Sequence, residues 1–180
     1  SITTIVTLLD IVRSAFKDEV RSLKDTYSGN RPQEGEIDAL YGQATEMWTL
    51  LKEHSFELAE VMGSEPGDLR ASSYRREDGG HVLFRPVGQQ AFSGALGVLR
   101  SRDIPTKDAI AHLCLAPMEL AQPPWIHVLW NPTTNRMVNT YRTLAEALFL
   151  HMVGQKPRTA SYQLLEHYQE LYGEEETPIG

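Results

Sequence analysis

The sequence predicts a mainly α-helical protein with a long N-terminal antiparallel helix hairpin and a small β element. Two observations carry this. Apolar residues recur at steps of three and four over most of the chain, which draws one stripe down each helix. Only three short stretches, about 81–84, 125–130 and 136–138, read as extended, on an apolar run, on aromatic and β-branched content, and on a return after a turn.

The first helix is expected over about 3–27, with Ile5, Leu8, Leu9, Val12, Phe16, Val20, Leu23 and Tyr27 on one face. Ser28-Gly29-Asn30-Arg31-Pro32 ends it. A second helix, about 35–62, carries Ile37, Leu40, Tyr41, Ala44, Met47, Trp48, Leu51, Leu58 and Met62, with Gly63 at its end. Neither stripe can be buried alone, so the two are expected to pack antiparallel. Ser64-Glu65-Pro66-Gly67 breaks the chain, and Asp78-Gly79-Gly80 is a turn. His81-Val82-Leu83-Phe84 reads as a strand or extended segment, and Pro86 suits the first position of a helix over about 86–101. Thr106 is expected to cap a helix over about 107–116. Trp125–Trp130 reads as a strand, Asn131–Asn135 as a turn and 136–138 as the return strand. Helices over about 140–153 and 159–172 close the fold. In domain terms this gives a hairpin arm, 1–63, a mostly helical domain, 64–173, and a solvated acidic tail, 174–180, within one structural unit.

With 180 residues, 41% apolar and 23% charged, the chain can bury a core. Its start at Ser1 inside a helical pattern reads as a piece of a longer protein. The net charge of −7 argues against a general polyanion binder. That charge is uneven. Residues 1–63 and 108–180 are acidic, while 64–107 carry 7 basic and 5 acidic side chains. One cysteine, Cys114, excludes an internal disulfide and a Cys-rich zinc site. No apolar run reaches the roughly 18 residues of a membrane span, and no signal peptide is visible, so a cytoplasmic location is the default.

Anion contacts are therefore sought in the middle segment. The start of a helix at Pro86 presents backbone N–H groups and the positive end of a dipole. Arg85 precedes it, Gly88 leaves the backbone approachable, and Val87 and Gln89 complete a candidate phosphate site, with His81 nearby. The competing explanation is that Pro86 and Gly88 only shape a tight strand-to-helix junction and Arg85 pairs with a nearby carboxylate. Arg70, Arg75, Arg76, Arg100 and Arg102 are candidate nucleic-acid contacts, with Tyr74 and Phe84 as stacking rings. Acidic neighbours offset them, and a mixed-charge loop explains them equally well. No metal site is expected, because His112 and Cys114, two apart, cannot face one ion from a helix. No cofactor is expected, since Walker and G-x-G-x-x-G motifs are absent. His81 beside Asp78 is the only close acid–base pair, and a hydrogen bond within its own loop accounts for it. Trp125 and Trp130 read as core, or as an aromatic platform.

Gly79-Gly80-His81-Val82-Leu83-Phe84-Arg85-Pro86-Val87-Gly88-Gln89 resembles the G-G-x-L-L-F-R-P-I-G stretch of DGQHR-domain proteins, which include the DndB-like proteins of bacterial DNA sulfur modification (phosphorothioation). Pro124–Asn131 to Met137-Val138 resembles the P-W-x-x-V-L-W segment that follows it there, and Ser1–Ile11 is similar to the helix that precedes it. The D-G-Q-H-R signature itself, carried in that family by an N-terminal fold related to ParB and sulfiredoxin, is absent. Asp78-Gly79-Gly80-His81 runs into Val82 instead. The resemblance thus implies the helical C-terminal part of such a protein, without its N-terminal chemistry. It implies a non-catalytic role in DNA modification or phage defence, exercised through other protein chains or the N-terminal domain. Nucleic acid enters through the parent protein, with weak binding by this piece. The alternatives are a helical interaction module with no nucleic-acid role, and a phosphate- or nucleotide-handling enzyme using Arg85 and His81.

Overall fold

A computed structural model describes residues 5–26, 33–65, 68, 70–158, 163–166 and 168–169. The expected turn at 28–32, Tyr27, Pro66-Gly67, Tyr162, Tyr172, Gly173 and the 174–180 tail lie outside the described residues. The fold is mainly α with a small β element, as the sequence predicts. Its helices are α1 (Ile5–Ala15), α2 (Lys17–Thr26), α3 (Glu34–His54), α4 (Phe56–Met62), α5 (Arg70–Ser73), α6 (Pro86–Arg100), α7 (Thr106–Leu113) and α8 (Arg142–Met152). Helical backbone recurs at 163–166 and 168–169, where Leu165 and Tyr168 are buried.

The core is organised around α6. Eleven of its fifteen residues are buried, so it is covered on nearly every side rather than along one stripe. α1, α7 and α8 pack against it. Glycine makes the closest approach possible: a Cβ on Gly97 would stand 2.1 Å from the Ser14 carbonyl oxygen on α1. This contact also decides which face of α1 is buried. Thr7, Ile11 and Ala15, one i, i+4 ridge, go inward with Phe16, while Leu8 and Leu9 are left exposed. The expected stripe through Leu8 and Leu9 is therefore corrected, because small side chains suit a near backbone-to-backbone contact.

The N-terminal helices do not stand apart as an arm built on each other. α1 packs chiefly on α6 and α3 chiefly on α7, and residues of both belong to one continuous core with Phe84, Phe92 and Leu96. Each expected long helix is also divided. Phe16 interrupts the first, although its N–H still reaches the Val12 carbonyl. Ser55 divides the second: its side chain accepts from the Leu58 N–H at 3.4 Å and so starts α4. The N-terminal half of α3 is left in solvent, with Tyr41 72% exposed.

The β element is smaller than predicted. β1 (Trp130–Asn131) pairs antiparallel with β2 (Arg136–Met137), Trp130 opposite Met137. Residues 125–129 are not a strand. The N–H groups of Val128, Leu129 and Trp130 all return to the Trp125 carbonyl, His127 has φ 67°, and the Pro123–Pro124 bond is cis. These tight turns bury Trp125, Val128, Leu129 and Trp130 together, which alternation along a strand would not allow. Residues 82–84 form one 3₁₀ turn rather than a strand, because His81 caps it with its side chain. Thr106 is the first residue of α7 rather than its cap, which is Pro105. The turn at 131–135 forms as expected, with the Asn131 side chain accepting from the Thr133 and Thr134 N–H groups.

Candidate functional site

Two places gather charged groups, and they are built differently. The first is the segment singled out by sequence. Gly79 (φ 108°) and Gly80 (φ 74°) reverse the chain, as Asp78-Gly79-Gly80 implies. A Cβ on Gly79 would stand 2.9 Å from the Trp130 indole, and one on Gly80 would stand 2.2 Å from the Tyr74 carbonyl oxygen. The Val82 N–H donates to the Met118 carbonyl and the Leu120 N–H to the Gly80 carbonyl. Gly79 thus packs on Trp130, and residues 118–120 bind Gly80 and Val82, so these segments form one packed unit. Trp125 completes it, fully buried, with its indole N–H on the Pro117 carbonyl at 2.5 Å.

Within this unit Arg75 and Arg85 hold backbone and Arg76 holds carboxylates. Arg85 pairs with backbone rather than with the expected carboxylate: it donates from Nε to the Gly79 carbonyl (2.9 Å) and from Nη2 to the Arg76 carbonyl (3.0 Å). Burial, and then the charge of Arg75, push its pKa down. Arg75 donates to the Phe84 carbonyl at 2.8 Å. Arg76 bridges Asp78 and Glu119. Pro86 takes the first position of α6, as expected, but Val87, Gly88 and Gln89 are buried. A Cβ on Gly88 would meet the Val82 carbonyl oxygen at 2.2 Å, and the Gln89 amide donates to the Leu83 carbonyl at 2.7 Å. The helix start is packed against the 3₁₀ turn.

His81 is also internal. It is buried between Tyr74 and Phe84, and its Nδ1 accepts from the Leu83 N–H at 3.1 Å. That places the proton on Nε2, 3.7 Å from a Glu57 carboxylate oxygen. Burial lowers its pKa, against the pull of Glu57 and Glu119, so the ring is neutral at neutral pH. Tyr74 donates to Glu60, and its pKa rises to about 12, chiefly through that hydrogen bond. Cys114 is half-buried, and burial pushes its thiol up to about 12, which keeps it protonated at neutral pH.

The remaining candidate arginines are dispersed. Arg70 pairs with Asp68 at the surface. Arg100 binds Glu19 and the Ala15 carbonyl (2.7 Å) and lies over the Phe16 ring, tying α1 and α2 to the end of α6. Burial raises the Glu19 carboxyl, but the hydrogen bond and charge of Arg100 outweigh it and the net shift is downward. Arg102 holds the Gln155 side chain and the Lys156 carbonyl. The six arginines therefore do not form one basic face.

The second place was not singled out by sequence. A cleft of about 350 Å³ opens where α1, α6 and α8 meet. Arg13 and Lys17 approach from the α1–α2 side, Arg142 from the start of α8, and Arg158 from the segment beyond it. Two carboxylates join them. Asp10 accepts from the Gln90 amide at 3.0 Å, and Glu146 lies 3.5 Å from Arg158. Glu146 fits only because Gly94 faces it: a Cβ there would stand 2.3 Å from its Oε2. Burial raises the Glu146 pKa, and Arg158, Arg142 and Lys17 offset part of that rise. Arg13, Lys17 and Arg142 make no hydrogen bond or close ion pair among the described residues. The legible signal was the spacing. Arg13 and Lys17 are four apart across the α1–α2 junction, and Arg142 and Glu146 are four apart on one face of α8. No group of three or more His, Cys, Asp and Glu side chains among the described residues is placed to hold a metal ion, and none of the described helices is long and apolar enough to cross a membrane.

No protein-family model, curated protein or solved structure matches this chain.

Proposed function

We propose that this chain is a non-enzymatic helical module of a DGQHR/DndB-like protein, acting by interaction or regulation in bacterial DNA modification or phage defence. One observation carries the non-catalytic part. Arg85 and His81, the residues an enzyme at the resembling motif would need, are held by internal hydrogen bonds within a packed junction. A general acid–base group must reach substrate, and His81 is 3% exposed. The DNA-modification setting rests on the resemblance of residues 79–89 and 124–138. The close packing of Gly79 on Trp130 supports reading them as parts of one scaffold. Exposed apolar side chains such as Phe56, 77% exposed, offer contact area for the rest of the parent protein.

Two measurements test this. A nucleotide-hydrolysis assay on the purified chain is expected to give no turnover. Turnover abolished by Arg85→Lys in a folded protein would restore the enzymatic reading. Deleting this segment from the parent gene is expected to change the phosphorothioate content of host DNA, read by mass spectrometry of its dinucleotides. Unchanged content and unchanged phage resistance would remove the DNA-modification setting.

A further inference from the structure

We propose that the cleft between α1, α6 and α8 binds a small phosphorylated polyol, one that carries a single phosphate and free hydroxyls. This goes beyond the module reading above and does not depend on it. The argument begins with charge. In a chain of net charge −7, Arg13, Lys17, Arg142 and Arg158 converge on one concavity that, among the described residues, holds two carboxylates, Asp10 and Glu146. Bringing like charges together opposes folding, and a bound anion relieves the repulsion. The four come from the two ends of the chain, so no local rule of helix pairing explains their meeting.

The cleft size and lining narrow the ligand. About 350 Å³ lies at the lower end of small-molecule sites. Among the described residues no aromatic side chain lines it, and those residues offer no surface on which a base would stack. The two carboxylates decide the rest. A second phosphate placed near Asp10 and Glu146 would meet like charge, whereas hydroxyl groups find acceptors there. The Gln90 amide, already on Asp10, fixes that carboxylate within the cleft wall. Gly94 leaves the space into which the Glu146 carboxylate fits, so Glu146 is held at the cleft by shape as well as by Arg158.

Titration calorimetry at low salt tests the proposal, with inorganic phosphate, pyrophosphate, ribose, ribose 5-phosphate, adenosine monophosphate and a mixed-sequence single-stranded oligonucleotide as probes. Ribose 5-phosphate is expected to bind at least about tenfold more tightly than inorganic phosphate or pyrophosphate, and ribose not at all. Adenosine monophosphate should gain nothing from its base. Arg142→Gln and Lys17→Gln should each weaken ribose 5-phosphate by about tenfold while leaving the melting temperature within a few degrees. Glu146→Gln should narrow the preference for ribose 5-phosphate over phosphate, since the amide no longer repels anions. Binding of no probe overturns the site. Equal binding of phosphate and ribose 5-phosphate, or tighter binding of pyrophosphate, overturns the ligand class. Tightest binding by the oligonucleotide, lost in Arg142→Gln, overturns it in favour of a nucleic-acid backbone.

Discussion

Arg85 and Arg142 stand at the starts of the two helices that build the core, α6 and α8, yet they do opposite things. Arg85 donates to two backbone carbonyls and fastens the loop at 76–79 to the start of α6. Among the described residues Arg142 makes no hydrogen bond of that kind, and it faces a cleft with three other cations and two carboxylates. Around Arg85 the chain is packed so closely that Gly79, Gly80 and Gly88 admit no side chain. Around Arg142 there is open volume. A guanidinium held by carbonyls adds to stability and has little left for a ligand, while one that donates no hydrogen bond keeps its donors available. Arginine count along the sequence is thus a poor guide to an anion site, because what each donor already contacts decides the matter.

The comparison can be broken most forcefully at Trp125. Trp125→Ala is expected to cost about 3–5 kcal/mol, measured by denaturant unfolding, because a fully buried indole and its hydrogen bond to Pro117 are lost. A cost below about 1 kcal/mol would mean that the 79–89 and 117–131 stretches are not one unit. Next comes the arginine pair itself. Arg85→Ala should lose about 1.5–3 kcal/mol, and Arg142→Ala less than about 0.5 kcal/mol. Equal losses would erase the distinction between the two regions.

A smaller effect follows from His81. Its pKa in the folded protein is depressed below the ordinary 6.5, so the unfolded chain takes up the proton first. Stability is fully present above pH 6.5 and is lost as pH falls through that value toward the folded pKa. Glu57 and Glu119 soften the loss, and Arg76 deepens it. His81→Asn keeps a side-chain acceptor for the Leu83 N–H and should flatten this part of the pH profile. An unchanged slope would place its origin elsewhere.

Glu146 has the opposite sign. Its folded pKa is raised above the ordinary 4.5, so stability increases as pH falls through the folded value toward 4.5. Glu146→Gln should remove that increase and raise the denaturant midpoint slightly at neutral pH. A lowered midpoint would show that its ion pair with Arg158 outweighs burial. The smallest expected signal is DNA binding. With Arg70, Arg75, Arg76, Arg85, Arg100 and Arg102 dispersed or engaged internally, a duplex should bind weakly near physiological salt. A micromolar complex with a steep salt slope would contradict this.

Much of the fold was legible because its rules are local. Three-and-four periodicity gave the helices. Pro86 marked the first turn of α6, Asp78-Gly79-Gly80 the reversal, and Asn131–Asn135 the turn between the two strands. Each acts through backbone dihedrals and hydrogen bonds a few residues apart, so the sequence determines them unaided. Tertiary packing decided the rest. Close approach at Gly97 turned Leu8 and Leu9 outward. The need to bury Trp125 and Trp130 on one side folded an apparent strand into turns. The cleft exists only because α1 and α8 both lie on α6, which brings Asp10 beside Gln90, eighty residues away, and Arg13 into one concavity with Arg142. A pairwise spacing of four can place two charges on one helix face, but only the packing of three helices brings four cations together.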